Sequence, residues 1–254
     1  MTDFVALGGR RFEVARTPGS APTLVFLHQG LGSVSMWRGF PARLAVRTGR
    51  ATLVYSRLGH GNSDPEPGPR PVDYLLRQGT EALPALLAAL GLDDVALVGH
   101  SDGATIALAY LAAGHKARGA IVVAPHVLDE EITWRAIERQ REDWQTGNLR
   151  ARLARHHRDA DAMFDAWASF WLAPEFRGWS IVTLLPAIRA KLLAIQGDDD
   201  IYGTMRQIDE VARAAAGPVA LAKLDHCGHD PFRDQSERML DLCSDFIAGL
   251  QGKF

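Results

Sequence analysis

The pentapeptide Gly99-His100-Ser101-Asp102-Gly103 sets a hydroxyl between two glycines, each two residues away. It follows the apolar run Val95–Val98 and precedes a stretch rich in alanine and leucine. A serine on a tight strand-to-helix turn projects its hydroxyl from the strand end, and larger flanking side chains would block that turn. The pattern alone decides little, since about one chain in ten of this length carries it by chance, and a serine capping a helix looks the same. A nucleophilic serine needs a base, and the base needs a third group to fix its tautomer. Acids stand in Gln196-Gly197-Asp198-Asp199-Asp200, after the apolar run Leu192–Ile195. Histidines stand in Asp225-His226-Cys227-Gly228-His229-Asp230-Pro231, after Val219–Leu224. His28-Gln29-Gly30-Leu31-Gly32-Ser33 directly follows Thr23–Leu27. Its glycines would let a backbone N–H turn inward to meet an oxyanion, with the N–H of Asp102 as a second donor. The plain alternative is an ordinary glycine turn.

These groups need strands and helices to place them. Val95–Val98, Ala120–Ala124 and Leu192–Ile195 are unbroken apolar runs, Thr23–Leu27 and Thr52–Tyr55 are apolar after their first residue, and Val219–Leu224 is apolar but for Lys223; this is the pattern of strands buried on both faces. Phe4–Leu7, Gly8-Gly9 and Phe12–Val14 read as a hairpin. Helices are expected over Val72–Leu90, Thr105–Leu111, Met205–Ala216 and Glu237–Leu250, the first kinked at Pro84 and stopped at Gly91. Strand–helix alternation predicts an α/β fold with a mostly parallel sheet flanked by helices. Residues 126–185 lack a strand run and carry five of the six tryptophans: Trp134, Trp144, Trp167, Trp171 and Trp179. They read as a helical cap inserted between core strands, leaving 1–125 and 186–254 as the core. The tryptophans either pack among themselves or wall an apolar pocket over the sheet end.

The chain has 254 residues, 47% hydrophobic and 23% charged, with a net charge of −2. That is an ordinary globular balance, large enough for a core without disulfides and without the basic excess of a nucleic-acid binder. Cys227 and Cys243 have no metal-like spacing and are expected reduced. No segment approaches the ~18 apolar residues of a membrane span, and no secretory signal pattern follows Met1, so a cytoplasmic protein is expected. His60, His126, His156 and His157 show no metal-ligand pattern, and phosphate-loop, dinucleotide and zinc motifs are lacking. Neither metal nor cofactor is expected; the partner expected is a small-molecule substrate, without nucleic acid or membrane. The oligomeric state is open, a homo-oligomer included.

Taken together, His28–Gly32, Ser56-Arg57-Leu58-Gly59-His60-Gly61-Asn62-Ser63, Gly99–Gly103, Gly197–Asp200 and Gly228-His229 resemble the α/β-hydrolase superfamily. The likeness is to its small cap-bearing branch of esterases, lactonases and carbon–carbon bond hydrolases. It implies Ser101 as nucleophile, His229 as base in preference to His226, and Asp200 as orienting acid. Asp129 or Glu130 competes for the acid, because some members carry it after the preceding strand. It also implies an oxyanion hole from the N–H groups of Leu31 and Asp102. Two departures stand out: Gln29 occupies a place where the family has histidine, and residue 102 is an acid. A carboxylate there would oppose an oxyanion, so its side chain is expected to turn away, toward a cation such as Arg57. His100 is expected to pack in the core. The implied activity is hydrolysis of a small to medium ester, lactone or thioester through an acyl-enzyme. Cleavage of ring-cleavage diketones, or non-catalytic small-molecule reception, is the alternative.

Overall fold

A computed structural model describes residues 2–250. Eight strands form one sheet: β1 (Thr2–Leu7), β2 (Arg10–Thr17), β3 (Ser20–Leu27), β4 (Arg50–Tyr55), β5 (Val95–His100), β6 (Gly119–Val123), β7 (Lys191–Gly197) and β8 (Val219–Leu224). Their order is β1-β2-β4-β3-β5-β6-β7-β8. β1 and β2 pair antiparallel, as do β2 and β4; every later pairing is parallel. Leu7 opposes Arg10 across Gly8-Gly9, and both glycines take the positive φ that a two-residue hairpin turn requires.

The helices are α1 (Phe40–Thr48), α2 (Tyr74–Arg77), α3 (Leu83–Ala89), α4 (Asp102–Ala112), α5 (Glu131–Thr146), α6 (Leu149–Leu153), α7 (Ala160–Leu172), α8 (Arg206–Ala214), α9 (Pro231–Asp234) and α10 (Ser236–Ala248). Side chains alternate across the strands. Leu24 and Phe26 of β3 join the core beneath α1 and α10, whereas Val25 and Leu27 join the core shared with α4. α5, α6 and α7 lie between β6 and β7, and their Ile137, Phe164, Trp167 and Trp171 belong to the α4-side core. No described helix is long and apolar enough to cross a membrane.

The structure differs from the sequence expectation in three places. α1 was not anticipated, because its apolar face is short and is bordered by glycines at both ends. The expected Val72–Leu90 helix begins at Tyr74 and passes through a π-helical turn, Gln78–Ala82, just before Pro84. Proline clashes with the carbonyl four residues back. The wider turn releases that carbonyl, Thr80 O, which lies 3.3 Å from His115 Nε2. Finally, β8 is not buried on both faces. It is the sheet edge, and Leu221 is exposed.

Candidate active site

Ser101 links β5 to α4 with φ 54° and ψ −117°, a conformation that costs a non-glycine residue ~1–3 kcal/mol. Packing enforces it. A Cβ on Gly99 would lie 2.4 Å from Gly103 O, and one on Gly103 would lie 1.9 Å from Leu27 O. Both glycines are therefore needed to let α4 press against the ends of β5 and β3. Ser101 N donates to Val123 O at 2.8 Å, which ties the turn to the end of β6.

Ser101 Oγ lies 2.9 Å from His229 Nε2, and His229 Nδ1 lies 2.7 Å from Asp200 Oδ2. Asp200 stands after β7 and His229 after β8, so two neighbouring strand ends supply them. Asp200 also accepts from Gln196 Nε2 and from Tyr202 N, each at 2.7 Å. Burial works against its charge. The His229 ring and the Tyr202 N–H outweigh that effect and hold the carboxyl below its usual range. An ionised Asp200 only accepts, so His229 keeps its proton on Nδ1 and presents a bare Nε2 to the serine hydroxyl. The other acids are engaged elsewhere. Asp198 accepts from Cys227 N in the histidine loop, Asp129 from Gly178 N, and Glu130 from Thr204 and Gln207. His226 is exposed, and His100 is buried with Nε2 donating to His229 O at 2.7 Å.

The turn after β3 is held by its carbonyls. Arg57 donates to His28 O at 2.6 Å and to Gln29 O at 3.0 Å, and His157 Nε2 to Leu31 O at 3.1 Å. Gly30 O lies 3.0 Å from His60 Nε2. A planar peptide directs its N–H opposite its carbonyl, so these anchors leave the Leu31 N–H for the other side. Leu31 and Asp102 both line the cavity beside Ser101, and neither N–H has a partner among the described residues. The Asp102 side chain is buried 3.7 Å from Arg57 Nη2. Burial raises its pKa, while Arg57 and Arg70 pull it back down. Asp102 Oδ2 and Trp171 Nε1 both lack a hydrogen-bond partner among the described residues. The Asp102 side chain thus lies toward Arg57 and Arg70, the direction expected from the sequence.

The cavity over Ser101 holds about 40 Å³, room for a few water molecules. Trp167, Trp171, Ile137 and Tyr202 wall it. A Cβ on Gly30 would lie 2.2 Å from Trp167 Nε1, so the indole edge rests directly on the turn after β3. Trp144 stacks on Phe164, and Trp179 on Phe176, so those two pack within the inserted segment. A larger cavity of about 420 Å³ lies between the Gly59–Arg70 loop and α7; none of Ser101, Asp200 and His229 lines it. Among the described residues no cluster of His, Cys, Asp or Glu is arranged to hold a metal.

Sequence reasoning did not single out His126, whose Nε2 lies 3.3 Å from Ser101 Oγ. Nor did it find the carbonyl anchors His60 and His157. The available signal for His126 was position: it follows β6, the strand beside the one that carries the serine.

A family model described as alpha/beta hydrolase fold matches residues 22–180. Among curated proteins, the proline iminopeptidase of Heyndrickxia coagulans is 35% identical over 107 residues, 41% of this chain and 35% of that protein. The chain covers between 27% and 35% of the length of the curated relatives it matches. A bacterial membrane phospholipase A shares the fold with a TM-score of 0.81 at 19% identity, over 100% of this chain and 87% of that one. The enol-lactonase from Burkholderia xenovorans LB400 does so at 0.77 and 18% identity, over 97% of this chain and 100% of that one. With more than half of its length matched by the family model, the chain belongs to the alpha/beta hydrolase fold family.

Proposed function

We propose that this chain is a serine hydrolase that cleaves a small carboxylic ester, lactone or thioester through an acyl-enzyme. The observation that carries the reading is the unbroken relay from Asp200 Oδ2 through His229 to a serine on a strained turn. In this reading His229 takes the proton of Ser101 as Oγ attacks the carbonyl, and the N–H groups of Leu31 and Asp102 receive the oxyanion. The proton then passes from His229 to the leaving group. Water, deprotonated by His229, releases the acid and restores the serine. The inserted helices α5 and α7 act as a cap whose tryptophans exclude water and strengthen the hydrogen bonds beneath them. The ester and lactone classes are supported by the phospholipase and lactonase likenesses; the iminopeptidase likeness adds prolyl amides to the substrates worth testing.

The test is labelling by an alkyl fluorophosphonate, followed by turnover of p-nitrophenyl esters, a lactone, a prolyl p-nitroanilide and a ring-cleavage diketone. Wild type should label one-to-one and Ser101→Ala not at all. Equal labelling of the two would remove Ser101 from the reaction. A fully labelled protein that turned over the diketone or the anilide, and no ester or lactone, would replace the substrate class proposed here.

A further inference from the structure

His126 stands beside the nucleophile on the side that the relay does not use. β6 ends at Val123, Ala124 turns the chain with φ 49°, and Pro125 leads into His126. Since β6 pairs with β5, this exit places residue 126 against the serine turn. Thr105 of α4 fixes the backbone there: its hydroxyl donates to His126 O at 2.8 Å and accepts from His126 N at 3.1 Å. The ring packs on Trp171 at 4.8 Å between centroids and near His229 at 5.9 Å. It is buried, and its Nδ1 has no hydrogen-bond partner among the described residues.

Hydrogen counting assigns the remaining nitrogen. His229 Nε2 is bare, so the single proton of the serine hydroxyl is used on it. Ser101 Oγ can then only accept from His126 Nε2, 3.3 Å away, and that contact is a hydrogen bond only if Nε2 carries the proton. Burial together with the His229 ring lowers the His126 pKa to about 3, so the ring is neutral and does not compete for the serine proton. Leaving an acceptor nitrogen orphaned at Nδ1 is also more readily tolerated than orphaning a buried N–H.

The geometry points to His126 as a second catalytic histidine, a fixed N–H donor that stabilises negative charge on Ser101 Oγ itself. This inference rests on Ser101 being the nucleophile. In acylation the serine proton goes to His229 as the Oγ–carbon bond forms and the carbonyl electron pair moves to the carbonyl oxygen. That pair then returns, the bond to the leaving group breaks, and the leaving group takes the proton from His229. In deacylation a water proton goes to His229, its oxygen bonds the carbonyl carbon, the Oγ–carbon bond breaks, and Oγ takes the proton back from His229. Oγ carries alkoxide character in both steps, and His126 keeps its proton throughout. Its role is therefore distinct from that of the backbone donors, which serve the carbonyl oxygen.

The experiment compares wild type, His126→Phe, which keeps a ring without a donor, and His126→Gln, which returns an amide N–H near the position of Nε2. Ser101→Ala is the control for the parent reading. Stopped-flow hydrolysis of p-nitrophenyl acetate gives acylation and deacylation rates, thermal melting reports folding, and side-chain ¹⁵N NMR reports the His126 tautomer. His126→Phe should lower both rates about 10- to 100-fold, the range for losing a hydrogen bond to a developing charge, with KM little changed. His126→Gln should recover most of the loss. Wild type should show the Nε2–H tautomer at neutral pH, and that NMR readout stands even if a variant fails to fold. Wild-type rates in folded His126→Phe, equal losses in the Phe and Gln variants, or an Nδ1–H tautomer would each overturn the inference while leaving Ser101 in place. Turnover surviving in Ser101→Ala would overturn the parent reading and this one with it.

Discussion

Both carboxylate oxygens of Asp200 are occupied, and every partner is a donor: His229 Nδ1, Gln196 Nε2 and Tyr202 N. An asparagine in its place offers one acceptor and one NH₂ group, so at least one donor would meet another donor. If the amide faced His229, the imidazole proton would move to Nε2 and no base would face Ser101. Asp200→Asn is therefore expected to fold and to lose about 10⁴ in kcat, the scale seen when a serine-protease triad loses its acid. Steady-state ester kinetics beside a thermal melt checks it, and a loss under tenfold would deny Asp200 the orienting role. At this scale the sequence was partly legible. Ser101 stood out by its glycines, which steric contact explains. The choice among Asp129, Glu130 and Asp200 rested on resemblance, because all three follow strands and only side-chain direction separates them. His126 was hidden because its contact depends on how one strand exits the sheet, which leaves no periodicity in the chain.

Among the elements, the parallel strands were readable because burial on both faces demands unbroken apolar runs, as Leu24–Leu27 and Val95–Val98 show. The edge strand β8 misled for a related reason: Val219–Leu224 is almost as apolar, and sequence does not reveal whether a neighbour covers it. Residues 126–185 were set apart in the sequence by their five tryptophans, but the division of labour among those side chains was not legible. Trp144 and Trp179 stack on phenylalanines, while α7 carries Trp167 and Trp171 to the cavity. Since Trp167 rests on the Gly30 turn, replacing it with leucine removes bulk directly over the site. Trp167→Leu should shift kcat/KM toward longer acyl chains across p-nitrophenyl acetate, butyrate, hexanoate and octanoate. Each methylene newly buried contributes ~0.8 kcal/mol, roughly fourfold in binding, until the space is filled. A chain-length profile identical to wild type in the folded variant would place Trp167 outside substrate recognition.

For the whole molecule, the buried histidines set a pH dependence of stability. His28, His60, His100, His126 and His157 all have lowered pKa values, with burial the first cause in each; His157 falls to about 4. In the unfolded chain histidine titrates near 6.5. Between the folded and unfolded values the unfolded chain binds more protons, so stability rises with pH and is lost as pH falls below ~6.5. Each such group adds up to ~1.4 kcal/mol per pH unit in that window. Urea midpoints should therefore fall clearly between pH 7 and pH 5, and His157→Gln should flatten the slope. Midpoints unchanged across that range would contradict the neutral, buried state of these rings. The small cavity over Ser101 has an expected kinetic consequence as well. Its ~40 Å³ is far below the ~300 Å³ at which ligand pockets begin, so entry of a reagent is expected to wait on a widening of the cavity. Fluorophosphonates of unequal reactivity should then approach one shared ceiling rate at high concentration. That ceiling clocks the opening of the protein, and the reagent has no say in it.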